Sequence, residues 1–133
     1  MTQKLKLIDY PEPYVEAWCL IHPDCESELR DIAERSGNKR KLRSNFKMRM
    51  NFLREHWEKA VVHHEWFEKL SYEKELYSLH IASVNNLRIL YVLHGDQAWL
   101  LCAFAEKKDS KQARYERYIP IAKGRLNEII KEG

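Results

Sequence analysis

Apolar residues recur at helical spacing in the first half of the chain and predict two helices there. The first helix is expected to start near His22-Pro23-Asp24 and to stop at Gly37, because proline and an acid favour the first turn and glycine favours the end. Its inward face would hold Leu29, Ile32 and Ala33. The second helix carries an apolar stripe whose successive members lie three or four residues apart: Leu42, Phe46, Met50, Leu53 and Trp57.

Three runs in the second half have the composition of strands. They cover Leu76 to Ala82, Leu87 to His94 and Ala98 to Ala105. Asn85-Asn86 and Gly95-Asp96 separate them, and these residues tolerate the positive φ of tight hairpin turns. Because the second and third runs are apolar on both faces, the sheet should be covered by helices on one side. The C-terminal helix or a partner protein would cover the other.

The two ends of the chain complete the expected fold. Tyr10-Pro-Glu-Pro13 divides the start of the chain into a short extended piece and the segment from Tyr14 to Ile21, and one or both of these should form a first strand. The tail from Lys111 to Lys131 should be a helix with a kink or a restart at Pro120. Its apolar stripe would consist of Tyr118, Ile121, Ala122, Leu126, Ile129 and Ile130. The order is N-terminal strand, two helices, three-stranded antiparallel meander and C-terminal helix. This predicts an α+β fold with helices grouped on one face, in a single domain over residues 1–133.

Charge is distributed unevenly along the chain, although the formal net charge is only +3. Eight acidic residues and one basic residue lie between Asp9 and Glu34, whereas seven basic residues and no acid lie between Gly37 and Arg54. A basic stripe on a nearly neutral protein suggests an anionic partner. A solvated helix face that balances the acidic stretch explains the charge pattern equally well.

The sequence disfavours several other classes of function. No apolar run approaches the ~18 residues of a membrane span and no signal peptide is evident, so we expect a cytoplasmic protein with no membrane partner. Cys19, Cys25 and Cys102 form no paired motif, which favours buried thiols in a reducing compartment. His63 and His64 are adjacent and would point apart, so we expect no metal site, and no cofactor motif is present.

Four stretches follow one another as they do in a known family. They are Glu75-Leu-Tyr-Ser-Leu-His-Ile81, Asn86-Leu-Arg-Ile-Leu-Tyr-Val92, Leu100-Leu-Cys-Ala-Phe-Ala-Glu-Lys-Lys108 and Tyr118 to Leu126. The set resembles the HigB-like, phage-derived branch of the RelE/ParE toxin superfamily. The usual patterns of that branch are LYELRI, YRVLY, LLHGFxKK and a helix reading EIxxAxxR. The resemblance covers about residues 62 to 130, and the N-terminal half agrees only in the order of its elements.

Four positions depart from the family pattern. His80 stands where the family often has arginine, Ser78 where it has glutamate, and Ala103 where it has glycine. Pro120 interrupts the final helix. The change at His80 leaves the exact catalytic set open.

The resemblance implies a RelE/ParE-like fold and the toxin of a type II toxin–antitoxin system. Such a toxin is a ribosome-dependent mRNA endoribonuclease in which a 2′-hydroxyl attacks the scissile phosphate. The implied partners are the ribosome, mRNA and a cognate antitoxin of helix-turn-helix type. Two alternatives stay open: a ParE-like inhibitor of DNA gyrase that does no chemistry, and a catalytically inactive remnant that binds a partner or RNA.

The catalytic candidates are Arg88, His80, Lys107 and Lys108. Arg88 matches the arginine of the YRVLY pattern, and its planar, permanently charged side chain suits a phosphorane; pairing with an acid such as Glu75 is its structural alternative. His80 could act as acid or base, because the ordinary pKa of imidazole is about 6.5, or could be only a sheet residue. A two-residue turn at Asn85-Asn86 would point His80 and Arg88 to opposite faces, whereas a three-residue loop would bring them to one face.

The RNA-binding candidates come from the basic stretch and the last helix. The cations of the basic stretch should contact RNA phosphates. Tyr115 could stack on a base. The full set is Lys39, Arg40, Lys41, Arg43, Lys47, Arg49, Arg114 and Tyr115.

Overall fold

The computed structural model describes residues 5–13, 16–70, 76–105 and 111–132, with side chains from residue 115 to residue 130 in the last range. Within these ranges six strands form one mixed sheet accompanied by three α-helices, so the fold is α+β. The strands are β1 (Lys6–Leu7), β2 (Cys19–Ile21), β3 (Phe67–Lys69), β4 (Tyr77–Ile81), β5 (Leu87–His94) and β6 (Gln97–Ala105). The helices are α1 (Pro23–Ser36), α2 (Lys39–His56) and α3 (Lys111–Glu132), and a 3₁₀ segment (Trp57–Val62) follows α2.

The two N-terminal helices form where the sequence predicts them. α1 begins directly after His22, whose Nδ1 accepts a hydrogen bond from the Asp24 amide at 3.1 Å. It ends at Gly37, whose φ of 71° lies in the region that favours glycine. Four members of the predicted stripe of α2 are buried, and the fifth, Trp57, is half-buried in the 3₁₀ segment.

The strand order in the sheet is β1-β2-β6-β5-β4-β3. β2 runs parallel to β6, and the other neighbouring pairs are antiparallel. The predicted N-terminal strand and three-stranded meander are present as β2 and as β4 to β6. The sequence prediction lacks β3 and leaves open whether the piece that contains β1 is a strand, because strands of two or three residues show no readable alternation of apolar and polar positions. β3 forms the sheet edge beside the candidate site.

Helices cover both faces of the sheet, so the expectation that the C-terminal helix covers the second face is confirmed, and the grouping of all helices on one face is wrong. Leu87, Ile89 and Tyr91 of β5 belong to a core that includes buried residues of α1 and α2. Leu90 and Val92, which alternate with them, belong to a second cluster with buried residues of α3. Two covered faces explain why β5 and β6 are apolar on both sides.

α3 agrees with its prediction only in part. The helix continues through Pro120, so of the two expectations, a kink or a restart, the restart is wrong. Because proline has no backbone N–H, the carbonyl group four residues earlier in the helix has no hydrogen-bond donor at Pro120. Pro120 is exposed, so water can bind that carbonyl group instead. The buried stripe consists of Tyr115, Ile119, Ala122 and Leu126, whereas the predicted Ile121 and Ile130 are exposed. No helix in the described ranges is long and apolar enough to span a bilayer.

β2 pairs with only the first part of β6, and side chains complete the remaining edge. The register joins β2 to Ala98–Leu100. Beyond that point Glu28 of α1 accepts a hydrogen bond from the Ala103 amide at 3.0 Å, and Arg125 of α3 donates to the Leu101 carbonyl at 2.7 Å. Glu28 and Arg125 also form a bidentate ion pair with N–O distances of 2.9 Å. The pair therefore ties α1, α3 and β6 together.

Candidate active site

The strand register brings His80 and Arg88 directly opposite each other on neighbouring strands. β4 and β5 are joined by residues 82–86, and the register pairs Ile81 with Leu87 and His80 with Arg88. Asn85 and Asn86 adopt positive φ values of 51° and 49°, as their turn-forming character predicts. The loop has five residues, so neither the two-residue turn nor the three-residue loop is present. Because five is an odd number, both side chains lie on one face of the sheet, as a three-residue loop would also have placed them.

An open cavity of about 740 Å³ lies at this end of the sheet, and both His80 and Arg88 line it. The opposite wall comes from the turn before β3 and from β3 itself. It contributes His64, Glu65, Glu68 and Lys69. The apolar lining residues are Val61, Phe67 and Ala82. The cavity thus combines two histidines, one lysine, one arginine and two glutamates.

Arg88 is held by a polar network on the α3 side of the sheet. Its Nη1 donates to the Tyr115 hydroxyl at 3.2 Å and lies 3.9 Å from the Glu68 carboxylate. The side chain of Arg88 is 11% exposed and that of Glu68 is 36% exposed. The acid beside Arg88 is therefore Glu68, whereas Glu75, the partner considered from the sequence, lies outside the described residues. A guanidinium held in this way reaches the cavity with its position fixed.

Tyr115 serves this network from α3 and does not offer its ring to solvent. Its hydroxyl lies 3.2 Å from Glu68 Oε1 and 3.0 Å from Ser78 Oγ. Since a carboxylate only accepts, the Tyr115 hydroxyl donates to Glu68 and accepts from Arg88. Burial raises the pKa of Tyr115 to about 12, so the hydroxyl keeps its proton. Because the residue is only 3% exposed, the prediction that it stacks on a base is wrong for this structure.

Arg49 fixes the backbone at His80 and is not part of a basic surface. Its Nε donates to the His80 carbonyl at 3.1 Å, and its guanidinium carbon lies 3.9 Å from the centroid of the Trp66 ring. The residue is 5% exposed, and this burial lowers its pKa to about 10. The prediction that Arg49 contacts RNA phosphates is therefore wrong. The His80 amide in turn donates to the Trp66 carbonyl at 2.8 Å, which secures His80 against the β3 side.

The rest of the basic stretch is exposed, as its position off the apolar stripe predicts. Near its middle, the Asn45 amide lies 3.4 Å from the Ser83 hydroxyl, so α2 runs beside the loop that leads into the cavity at Ala82. Arg43 lies 4.0 Å from Glu12. The exposed cations are Lys39, Arg40, Lys41, Arg43 and Lys47. Their role in binding RNA stays a prediction.

Three other candidates cannot be placed in the site. Lys107 and Lys108 lie outside the described residues, and so does the side chain of Arg114.

The cavity wall from β3 is the part that sequence reasoning missed. His64 was considered only with His63 as a metal pair, and Glu68 and Lys69 carried no motif. The available signal was the polar cluster His63-His64-Glu65 just before the apolar Phe67. In the described part of the chain, no group of three or more His, Cys, Asp or Glu is arranged to hold a metal ion.

The cysteines take no part in the cavity. Cys19, Cys25 and Cys102 are free and buried, which confirms the expectation of buried thiols. Burial raises the pKa of Cys102 to about 12, so it is a protonated thiol and a poor nucleophile at neutral pH.

Comparison with known protein families, with curated proteins and with solved structures finds no match to this chain.

Proposed function

We propose that this chain is an endoribonuclease that cleaves single-stranded RNA through attack of a 2′-hydroxyl on the adjacent phosphate. The observation that carries the proposal is the pairing of His80 with Arg88 on one sheet face, where both line the same cavity. An imidazole beside a fixed guanidinium supplies a proton-transfer group and a charge-stabilising group to one phosphate.

The cavity residues divide the reaction between them. One imidazole takes the proton of the 2′-hydroxyl as its oxygen bonds to phosphorus, and the bond from phosphorus to the 5′-oxygen breaks. A second imidazole protonates that leaving oxygen, which yields a cyclic phosphate and a free 5′-hydroxyl. His80 and His64 provide the two imidazoles, and Arg88 with Lys69 provides positive charge for the phosphorane.

The finer form of the proposal is a toxin of the RelE/ParE type that acts on mRNA at the ribosome and is neutralised by an antitoxin. The sequence resemblance over residues 62 to 130 supports it, and so do the two helices and the three-stranded antiparallel meander. The exposed cations of α2 would contact RNA phosphates outside the cavity.

The decisive experiment maps new RNA 5′ ends after the purified protein is incubated with mRNA, with and without ribosomes. Arg88→Ala should slow cleavage by roughly 10²–10³, because one electrostatic partner of the transition state is removed. Arg88→Lys should restore little, since an ammonium lacks the bidentate geometry. His80→Ala and His64→Ala should each cause a large loss.

The matched control is Arg35→Ala, which removes an exposed arginine outside the cavity and should leave the cleavage rate unchanged. Each variant must keep its melting temperature, because Arg88 also holds structure. A folded Arg88→Ala protein that cleaves at the rate of the unmodified chain would refute the assignment. An unmodified chain that produces no new ends would refute the nuclease.

A second candidate is an RNA- or partner-binding protein without catalysis. The observation that favours it is the low exposure of Arg88, whose charge lies beside the Glu68 carboxylate. This candidate predicts that the unmodified chain binds RNA, leaves it intact, and loses affinity in Arg88→Ala.

A further inference from the structure

Trp66 lies within a stack of three planar groups, between Arg49 and His63. The guanidinium carbon of Arg49 lies 3.9 Å from the Trp66 ring centroid, and the His63 ring centroid lies 4.0 Å away at an interplanar angle of 13°. One face of the indole has no room for both groups at these distances, so Arg49 and His63 occupy opposite faces. Arg49 is buried and His63 is half-buried, so the stack runs from the interior outward and ends at His63.

Phe52 lies at the side of this stack and leaves its outer end open. Its ring centroid is 5.5 Å from that of His63 and 5.6 Å from that of Trp66, with interplanar angles of 89° and 79°. A ring almost equally distant from two stacked rings, and nearly perpendicular to both, lies beside them. Among the described residues, no further ring or cation stacks on His63, and His63 is only half-buried, so the next planar group of the stack can come from another molecule.

His63 and Trp66 do not line the cavity that we assign to phosphate chemistry, but each is next in sequence to a residue that does. His63 is followed directly by His64, which lines the cavity, and consecutive Cα atoms are about 3.8 Å apart. Trp66 is likewise preceded by Glu65 in the cavity wall. An RNA strand whose phosphate lies in the cavity would therefore carry a base within reach of His63.

We propose that the outer face of His63 binds a nucleobase of single-stranded RNA whose phosphate occupies the cavity. The nature of the polymer rests on the proposed function, whereas the stacking site rests on the ring geometry. The base would extend a preformed stack, so it would be recognised by its π-face with little preference among the four bases. Arg49, which the sequence assigned to phosphate contacts, would instead support this site from beneath Trp66.

The test measures binding of two short oligomers of equal length by fluorescence anisotropy. One is a 2′-O-methyl adenine oligomer, which lacks the attacking hydroxyl, and the other is an abasic oligomer with the same phosphates. His63→Ala should weaken binding of the adenine oligomer roughly tenfold and leave binding of the abasic oligomer unchanged. His63→Phe should retain most of the affinity, because it keeps a ring at the end of the stack.

The matched control is His94→Ala. His94 also stacks on a tryptophan, with its centroid 4.4 Å from that of Trp99, but it lies at the other end of β5 from Arg88. This variant should bind both oligomers like the unmodified chain. An unchanged affinity of His63→Ala for the adenine oligomer, or an equal loss on both oligomers, would overturn the proposal.

Neither oligomer depends on cleavage for its signal, so the two proposals fail separately. A chain that binds adenine through His63 but yields no new RNA ends would refute only the nuclease. A chain that cleaves RNA through Arg88 without help from His63 would refute only the stacking site.

Discussion

Arg49 and Tyr115 are polar residues that the sequence places on an exposed surface, and both are buried because each finds partners inside. Arg49 donates to the His80 carbonyl and stacks on Trp66, and Tyr115 bonds with Arg88, Glu68 and Ser78. Helical periodicity gives the direction in which a side chain leaves its helix. It does not show how far a long or aromatic side chain extends. It therefore misses the hydrogen bonds that the polar end of such a side chain makes in the interior.

His22 makes the stability of this protein sensitive to mild acid. The residue is 1% exposed, its Nδ1 accepts from the Asp24 amide, and its Nε2 is buried without a hydrogen-bond partner in the described residues. Burial, followed by the charge of Arg125, lowers its pKa. The unfolded chain then binds the proton more readily than the folded chain. The free energy of unfolding should therefore begin to fall as the pH drops below about 6.5, and the loss should continue down to the lower pKa of His22 in the folded state.

The variant His22→Asn tests this pH dependence of stability, because asparagine can cap α1 and does not titrate. Free energies of unfolding in urea should be measured for both proteins between pH 7.5 and about 5.5. The unmodified chain should lose stability relative to the variant on acidification. Parallel pH profiles would show that His22 is not the titrating group.

At the scale of elements, the sequence predicts α1, α2 and the strands β4 to β6 well, since each spans several repeats of its period. It does not predict the length of the loop between β4 and β5. Asn85 and Asn86 do form the turn, but buried Val84 extends the loop to residues 82–86 and so sets the register at His80 and Arg88. Whether a lone valine enters the core depends on the space that the other elements leave.

α2 separates its core face from its basic face, so the two can be altered independently. Replacing Lys39, Lys41 and Lys47 by glutamate should weaken RNA binding and flatten its dependence on salt. The logarithmic slope should fall by about 0.7 for each phosphate of a single strand that the protein no longer neutralises. Folding should persist, because the buried stripe is untouched. Binding is measured by anisotropy over a series of salt concentrations.

The control for this prediction reverses three exposed cations on other elements: Arg35, Lys59 and Arg117. This variant changes the net charge by the same amount as the α2 variant. It should retain more of the affinity for RNA and a steeper dependence of that affinity on salt concentration. If both triple variants lose affinity alike, only net charge matters, and α2 has no specific role in binding.

At the scale of the whole molecule, the candidate site depends on contacts that no local pattern records. The cavity joins the turn before β3 to two strands of the meander, and its arginine is held from α3. Arg88 and His80 could be named from the sequence because a family pattern marks their strands. His64 and Lys69 could not, because their relevance arises only when β3 pairs with β4.

Glu28 and Arg125 hold the open part of the β6 edge, and their loss should be costly. Glu28→Ala leaves the Ala103 amide and a mostly buried guanidinium without the carboxylate, so unfolding free energy should fall by about 1–3 kcal/mol. The control is Glu16→Ala, which breaks a more exposed ion pair with Arg54 and should cost less than about 1 kcal/mol. Urea denaturation measures both, and equal costs would contradict the structural role of Glu28.

This edge also bears on how the protein behaves at high concentration. An uncovered strand edge offers amide and carbonyl groups to the edge of another copy, and such pairing starts aggregation. β2 is short enough to leave β6 open to that pairing, and two side chains from separate helices stand where a longer strand would lie. Glu28→Ala should therefore lower the concentration at which light scattering first rises, whereas Glu16→Ala should not. We therefore expect the Glu28–Arg125 ion pair to limit aggregation as well as to stabilise the fold.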